Sequence, residues 1–378
     1  MLRAGRVLLA FITAFALLPA VTAAAHPPKQ HADAAAGVTW SRLPHTRLPG
    51  FDYENPARSI AMSGSGGNAF VLGTNQLVKL NTNKSPATVI WRATNVKGTD
   101  VVMNPKHQIA YITTNNTHTL RAVNTFYASK PKITKSFTYR CGAHCGITDV
   151  AITRSAKYLL VGLSDIPGRV DIYSLANPWK PKRVGHYKMR LDPEAIAPTP
   201  NGRYLVVQGV AQDNVNQHKY MVLNIRRPKH VTITKHRTRV HVDRSEAIVP
   251  APGGAHMYLI GEDTANNVYI DDVKPGGHWP ITRRKKVLSF LNTSVVSGAD
   301  ITTSGKYIYI ARPGIESEPV VCMVGFAHLR RAKCYTNVDF PFAGVALSKA
   351  GKTRDRAYFT EGTISKTHTW LDVLSSPK

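Results

Sequence analysis

Five acidic residues recur along the chain at a spacing of roughly 50 residues. They are Asp100, Asp149, Glu194, Glu246 and Asp300, and each lies near the start of a short apolar run. Carboxylates that converge at one place could bind a hard cation such as Ca²⁺, which prefers oxygen ligands. Alternatively, each carboxylate accepts backbone N–H bonds where the chain enters a repeat. Their registers within the repeat are not identical, which favours the second interpretation.

The acidic residues belong to a repeat that covers most of the chain. Residues 194–209 read E-A-I-A-P-T-P-N-G-R-Y-L-V-V-Q-G, and residues 246–261 read E-A-I-V-P-A-P-G-G-A-H-M-Y-L-I-G. Related copies begin at positions 59, 100, 149, 300 and 344, which makes seven. Each copy holds two β-rich runs joined by a turn rich in Pro, Asn, Gly or Ser. A period of this length is typical of one four-stranded propeller blade.

The repeat predicts an all-β fold, a seven-bladed β-propeller of four-stranded blades over residues 38–378. The seventh copy offers three strands. We expect its missing outer strand to come from residues 38–42. Such an exchange closes the ring and removes free strand edges. The alternative is that residues 38–42 form a frayed tail.

The N-terminal residues have the pattern of an export signal. Arg3 and Arg6 precede an apolar run over residues 7–21, and alanines at positions 23–25 offer a cleavage site. The apolar run is short for a membrane span. We therefore expect a signal peptide over residues 1–25, followed by a linker over residues 26–37. The mature protein is expected to act outside the cytoplasm, as a monomer.

Four cysteines fit an oxidising compartment. Cys322 and Cys334 flank a predicted hairpin, so we expect them to face each other on paired strands and to form a disulfide. Cys141 and Cys145 are separated by three residues and are expected to form a second disulfide. A zinc site that includes His144 is the alternative for this second pair, but Zn²⁺ would need a fourth ligand.

The chain is strongly basic, with 49 Lys plus Arg against 23 Asp plus Glu. Much of the excess lies in predicted outer strands, of which the densest run is Arg283, Arg284, Lys285 and Lys286. One explanation is that lysine on an outer strand discourages edge-to-edge pairing. The other is attraction to an anionic cell-wall polymer, an acidic glycan or a membrane surface. A protein partner stays open, whereas nucleic acid is not expected because the sequence has no nucleic-acid-binding motif.

The unit T-P-N-G-R-Y-L-V-V at residues 199–207 resembles the repeat of the YVTN family of seven-bladed propellers. Related units lie at residues 153–161 and 302–310, and the resemblance covers residues 59–374. That family is related to the lactonase-like and quinoprotein-amine-dehydrogenase-like propellers. It includes enzymes that open sugar lactones and extracytoplasmic proteins without catalysis. The resemblance therefore implies a fold, and its motif carries no catalytic residue.

The sequence has no G-x-S-x-G nucleophile elbow, no Gly-rich phosphate loop with lysine and no H-E-x-x-H pair. Three histidines lie in loops predicted for the channel entrance and are the best functional candidates among the 15 present: His118, His144 and His218. We expect a secreted binding or scaffold module without catalysis. The alternative is a metal-assisted hydrolase of the lactonase type, with its site at the channel mouth.

Overall fold

A computed structural model describes residues 41–51, 56–114, 118–126, 131–139, 146–240, 242–276, 278–289, 296–311, 319–325, 332–336, 344–349, 355–362 and 369–375. These residues form seven antiparallel sheets of four strands each, arranged around a ring. The predicted all-β, seven-bladed propeller is therefore confirmed. Within the same residues, no helix has the length and apolar composition needed to cross a membrane.

Blades 1 to 3 each consist of four consecutive strands. Blade 1 contains β2 (Ala57–Met62), β3 (Asn68–Gly73), β4 (Gln76–Asn81) and β5 (Thr88–Thr94). Blade 2 contains β6 (Asp100–Met103), β7 (Ile109–Thr114), β8 (Thr119–Asn124) and β9 (Lys132–Thr138). Blade 3 contains β10 (Gly146–Ile152), β11 (Tyr158–Ser164), β12 (Gly168–Ser174) and β13 (Lys182–Met189).

Blades 4 to 6 follow the same order. Blade 4 contains β14 (Leu191–Pro198), β15 (Tyr204–Ala211), β16 (Asn214–Asn224) and β17 (Thr232–Arg239), with a 3-10 helix at Pro228–His230 between the last two. Blade 5 contains β18 (Arg244–Pro250), β19 (Met257–Glu262), β20 (Asn267–Val273) and β21 (Ile281–Ser289). Blade 6 contains β22 (Gly298–Ile301), β23 (Tyr307–Ala311), β24 (Pro319–Gly325) and β25 (Ala332–Thr336).

Blade 7 combines β26 (Ala346–Leu347), β27 (Arg356–Gly362) and β28 (Thr369–Ser375) with β1 (Ser41–Leu48) as its outer strand. β1 pairs antiparallel with β28 and ends with Leu48 opposite Thr369. A strand from the N-terminal side thus closes the ring, but it runs beyond the predicted residues 38–42, of which 38–40 lie outside the described residues. The extension follows from packing, because Leu48 and Leu371 are buried in one apolar cluster.

The apolar side chains form seven clusters, each shared by two neighbouring blades. Between blades 4 and 5, for example, Val206 and Val222 pack with Met257 and Leu259. Full burial of one such side chain stabilises the fold by about 1.5–3 kcal/mol. The first strand of each blade contacts the first strand of the next, including β2 with β26. The first strands therefore surround a central channel, and the core lies between blades.

The predicted disulfide between Cys322 and Cys334 is confirmed, with an S–S distance of 2.11 Å. The two residues lie directly opposite each other on β24 and β25. Cys141 and Cys145 lie outside the described residues, so their pairing stays a prediction.

Candidate functional site

The five recurring acidic residues all lie on first strands, in five successive blades. Asp100 is on β6, Asp149 on β10, Glu194 on β14, Glu246 on β18 and Asp300 on β22. The first strands run in the same direction along the channel, so residues near their starts lie at the same end. We call this end the entrance face.

Asp149 and Asp300 hold neighbouring blades together by the same geometry. Each carboxylate accepts the N–H of the following residue through Oδ1, at 2.7 Å for Asp149 and 2.8 Å for Asp300. The Oδ2 atom of Asp149 accepts the Ile196 N–H of blade 4 at 2.7 Å. The Oδ2 atom of Asp300 accepts the Leu347 N–H of blade 7 at 2.9 Å. Both side chains therefore bridge first strands.

Asp100 makes its bridge in the opposite direction, toward blade 1. Its Oδ1 atom accepts the Ser59 hydroxyl at 2.6 Å and the Val101 N–H at 2.7 Å. Burial raises the pKa of Asp100. Burial, followed by the charge of Asp100, also raises the pKa of Asp149, to about 8. Asp149 therefore gains a proton well above the usual pH for aspartate, and the pKa of Asp100 shifts in the same direction.

Glu194 projects from a β-bulge near the start of β14. Pro193 pairs with Gly209 and Ala195 pairs with Gln208, so Glu194 is the extra residue between them. A bulge bends its strand and redirects the extra side chain, and bulges are frequent beside functional sites. β18 repeats this arrangement, with Glu246 as the extra residue between Ser245 and Ala247.

The bulges explain a glycine near the end of the second strand of these blades, opposite the residue that precedes the bulge. A Cβ atom on Gly209 would lie 1.9 Å from the Asp192 carbonyl oxygen. A Cβ atom on Gly261, the equivalent residue of blade 5, would lie 2.3 Å from the Arg244 carbonyl oxygen. The bent first strand thus passes so close to the second strand that a side chain does not fit there.

Glu194 lies in a polar cluster with His218 and Ser245. Its Oε2 atom is 3.0 Å from His218 Nδ1 and accepts the Ser245 N–H at 3.1 Å. The Ser245 hydroxyl is 2.9 Å from the same Nδ1 atom. In a Ser-His-acid triad the serine and the acid contact different nitrogens of the imidazole ring. Since both contact Nδ1 here, the cluster does not have the geometry for nucleophilic catalysis by Ser245.

Two further carboxyls near this cluster titrate above their ordinary range. Burial, with smaller contributions from Glu262 and Glu194, raises the pKa of Glu246 to about 8. Burial, with Glu194 and Asp165, raises the pKa of Asp192 to about 6. Glu262 itself is buried and accepts the Val296 N–H of blade 6 at 3.0 Å. Glu246 is thus largely protonated at neutral pH, as a general acid must be.

Within the described residues, no three His, Cys, Asp or Glu side chains are gathered in a way that could hold a metal ion. The Oδ2 atoms of Asp149 and Asp300 face neighbouring blades and accept backbone N–H groups there. Backbone bonding of this kind was the alternative to a cation site in the sequence analysis. A Ca²⁺ ion shared by the five carboxylates stays a prediction.

The three candidate histidines differ in their surroundings. His218 contacts Glu194, and the backbone carbonyl of His118 accepts the Tyr139 N–H at 2.9 Å. His144 lies outside the described residues.

The predicted basic cluster lies on β21, the outer strand of blade 5. Arg283, Arg284 and Lys286 are exposed and Lys285 is half-buried. Arg284 forms a bidentate pair with the buried Asp271 of β20, with Nε–Oδ1 at 2.7 Å and Nη2–Oδ2 at 3.0 Å. Arg284 therefore neutralises a buried charge. The sequence alone did not distinguish Arg284 from the other three cations of this run.

Exposed cations also lie on the outer strands of blades 2, 3 and 4, which are β9, β13 and β17. They are Lys132, Lys135, Lys182, Arg183, Lys188 and Arg239. The outer strands of four successive blades thus present positive charge to solvent. Part of this positive charge is paired with acidic residues, since Arg183 lies 3.4 Å from the buried Asp171 carboxylate.

Sequence reasoning missed the bulges, the contact of His218 with Ser245, and the roles of Asp192 and Glu262. One signal for the bulges was present, namely the glycine that ends the second β-rich run in several repeats. The remaining contacts join residues from different blades, and the repeat pattern does not reveal which side chains meet across that boundary.

No protein-family model matches the chain, and no curated protein matches it in sequence. Among solved structures, hydrazine synthase of Kuenenia stuttgartiensis is similar, with a TM-score of 0.64 and 16% sequence identity over 85% of this chain and 98% of that chain. In all, 1187 solved chains match, so the fold is too widespread to specify a function. At this identity the similarity shows a propeller fold, and the likeness to the YVTN repeat remains a resemblance.

Proposed function

We propose that this protein is an extracytoplasmic, non-catalytic binding module that associates with anionic polymers of the cell surface through its outer strands. The observation that carries the proposal is the row of exposed Lys and Arg side chains on the outer strands of four successive blades, β9, β13, β17 and β21. A rigid ring holds these strands at fixed separations. An extended polymer can therefore contact several blades at once.

The electrostatics support this association. The chain has a formal net charge of +26, and the strong pairs with Asp171 and Asp271 involve few of the outer-strand cations. Binding of Lys and Arg to a polyanion releases condensed counterions, which drives association at low salt. A positive surface also accelerates encounter with a negatively charged polymer.

Two features support a location outside the cytoplasm. The first is the signal-like pattern of residues 1–25. The second is the disulfide between Cys322 and Cys334, since disulfides persist in oxidising compartments. An anionic cell-wall polymer is the partner that both the location and the charge favour.

The test is retention on insoluble cell-wall material, compared with the same material after its phosphate polymers have been removed. The variant Arg283→Gln, Lys285→Gln, Lys286→Gln leaves the Arg284–Asp271 pair intact and should be retained several-fold less. A control variant with the same charge change replaces Lys106, Lys157 and Lys306, which are exposed in hairpin turns. Equal losses in both variants, or no preference for the untreated material, would contradict the proposal.

A hydrolase of the lactonase type is the second candidate, and a specific observation favours it. Glu246 lies on a bulge at the entrance face, and burial raises its pKa to about 8. A protonated carboxyl there could donate a proton to the leaving oxygen of an opening lactone ring, while a bound metal would activate water. The resemblance to lactonase-like propellers agrees with this chemistry.

Acid release from γ- and δ-lactones, followed in a pH-stat with and without added Ca²⁺, tests the second candidate. Hydrolysis that falls at least 100-fold in Glu246→Gln would support it, since acid catalysis typically contributes 10²–10⁴-fold. Hydrolysis equal to the buffer rate, or a rate unchanged by the substitution, would exclude Glu246 as the acid.

A further inference from the structure

The turn between β16 and β17 of blade 4 borders an open depression of about 600 Å³. Its lining residues are Asn224, Arg226, Arg227, His230 and Thr232. β14 starts at the entrance face, and β15 and β16 each reverse direction, so the end of β16 lies at the other end of the blade. The depression is thus remote from Glu194 and the entrance carboxylates.

The described residues that line the depression offer hydrogen-bond donors and carry no negative charge. Arg226, Arg227 and His230 are exposed, and Thr232 lies directly opposite Asn224 across the hairpin. The Asn224 Oδ1 atom accepts the Arg226 N–H at 3.1 Å, which leaves the amide nitrogen as its donor to a ligand. No acidic residue occurs between positions 214 and 242. A ligand that accepts many hydrogen bonds and carries negative charge fits this lining.

The outer strand of blade 3 packs against this turn and adds positive charge beside it. The Pro228 carbonyl lies so close to Gly185 of β13 that a Cβ atom there would be 1.8 Å from its oxygen. Lys182 and Arg183, at the start of β13, are exposed. Arg183 also pairs with the buried Asp171 carboxylate at 3.4 Å, so Lys182 supplies most of the added charge. The depression therefore sits in a basic surface formed by two neighbouring blades.

We propose that this depression is a subsite for a phosphate group, occupied by a phosphodiester segment of the anionic polymer. A phosphodiester has two charged oxygens and two ester oxygens in a tetrahedral arrangement, so two guanidinium groups can approach it from different directions, whereas the two oxygens of a carboxylate lie in one plane. The volume exceeds that of one phosphate and lies within the 300–1,000 Å³ range typical of ligand sites. The inference rests on the proposed function and assigns it a place and a ligand class.

The test is titration of the full mature protein with a short inorganic polyphosphate chain by calorimetry, at low and at moderate salt. The variant Arg226→Gln, Arg227→Gln should bind about tenfold or more weakly, because charge-assisted hydrogen bonds are lost. A matched variant, Lys106→Gln, Lys306→Gln, changes the net charge equally in the hairpin turns of blades 2 and 6 and should lose at most about threefold. Equal losses would overturn the subsite and leave the proposed function standing. No binding by the unmodified protein would overturn both.

A second substitution keeps the local fold and replaces a hydrogen-bond donor of the depression with a negative charge. Asn224→Asp retains the Oδ1 acceptor for the Arg226 N–H and replaces the amide donor with a charged oxygen. We expect weaker polyphosphate binding by about tenfold with an unchanged melting temperature. If a single phosphate group suffices for binding, inorganic phosphate should compete with polyphosphate for the depression. Polygalacturonate carries carboxylates alone and should bind Asn224→Asp and the unmodified protein equally. Unchanged polyphosphate affinity in Asn224→Asp would contradict the subsite.

Discussion

The Asp149 carboxylate joins blade 3 to blade 4, because its Oδ2 atom accepts the Ile196 N–H across the blade boundary at 2.7 Å. Asp300 joins blades 6 and 7 in the same way through Leu347. An acceptor shared between two first strands satisfies a backbone donor and fixes how far apart the blades lie. Asp149 and Asp300 thus link neighbouring first strands at the inner surface of the ring, in addition to the apolar clusters between blades.

Substitution of Glu246 should change how stability depends on pH. Its pKa is about 8 in the folded protein, against an ordinary value of 4.5. Between these values the folded state binds more protons than the unfolded state, so the free energy of unfolding falls as pH rises. Glu246→Gln removes this loss and should be more stable than the unmodified protein by about 1–3 kcal/mol at pH 8.5, but equally stable near pH 4.

Urea unfolding curves between pH 4 and 8.5 measure this effect. Asp213→Asn is the control, since Asp213 is about half exposed in the turn that begins β16 and its loss changes the net charge equally. A pH profile that is the same for Glu246→Gln and the unmodified protein would show that Glu246 ionises normally.

Arg284 and Lys286 occupy the same strand, but their loss should have different consequences. Arg284→Gln leaves the buried Asp271 carboxylate without its bidentate partner, so we expect a loss of about 2–4 kcal/mol. Lys286→Gln changes an exposed side chain and should stay within about 0.5 kcal/mol of the unmodified protein. Thermal unfolding of the two variants decides this, and equal stabilities would mean that the Arg284–Asp271 pair contributes nothing.

Gly209 should not tolerate alanine. The added Cβ atom would lie 1.9 Å from the Asp192 carbonyl oxygen, and relief requires movement of the bulged first strand. We expect Gly209→Ala to lower the free energy of unfolding by more than about 2 kcal/mol. Gly253→Ala is the matched control, because no atom lies within 4 Å of its added Cβ. If both variants unfold at the same temperature, the close approach at Gly209 is not a constraint on stability.

A shared Ca²⁺ ion at the entrance face makes a different prediction about melting. At a hundredfold excess over its dissociation constant, a bound ion would stabilise the fold by about 2.7 kcal/mol, and a chelator would remove that gain. The backbone bonds of Asp100 and Asp149 lead us to expect melting curves that a chelator does not change. A midpoint that falls on chelation, and no longer falls in Asp100→Asn, Asp149→Asn, would establish the ion.

The repeat in the sequence was sufficient to predict seven blades and their first strands, because both depend on apolar periodicity and turn residues within one copy. The strand missing from the seventh copy also predicted closure from the N-terminal side, but the predicted residues 38–42 stop short of Leu48, where β1 ends. The disulfide between Cys322 and Cys334 could be predicted from local features, since both residues belong to one hairpin.

Features that depend on two blades could not be predicted. The contact between His218 and Ser245 requires the relative position of β16 and β18, which packing between blades decides. The packing of the blade 4 turn against Gly185 of blade 3 likewise depends on two blades. In the sequence, Arg284 and Lys286 are two of four consecutive cations, and the register of β21 against β20 determines which of them meets Asp271.

The most direct test of the proposed function is the salt dependence of polyanion binding. The association constant of the mature protein for a soluble phosphate polymer would be measured between 50 and 300 mM salt. If cations on several blades bind the polymer, log K should fall linearly with log salt, with a slope of about −3 or steeper. The variant Arg283→Gln, Lys285→Gln, Lys286→Gln should have a slope smaller in magnitude by about 2. A slope near zero, or no measurable binding at the lowest salt, would contradict the proposal.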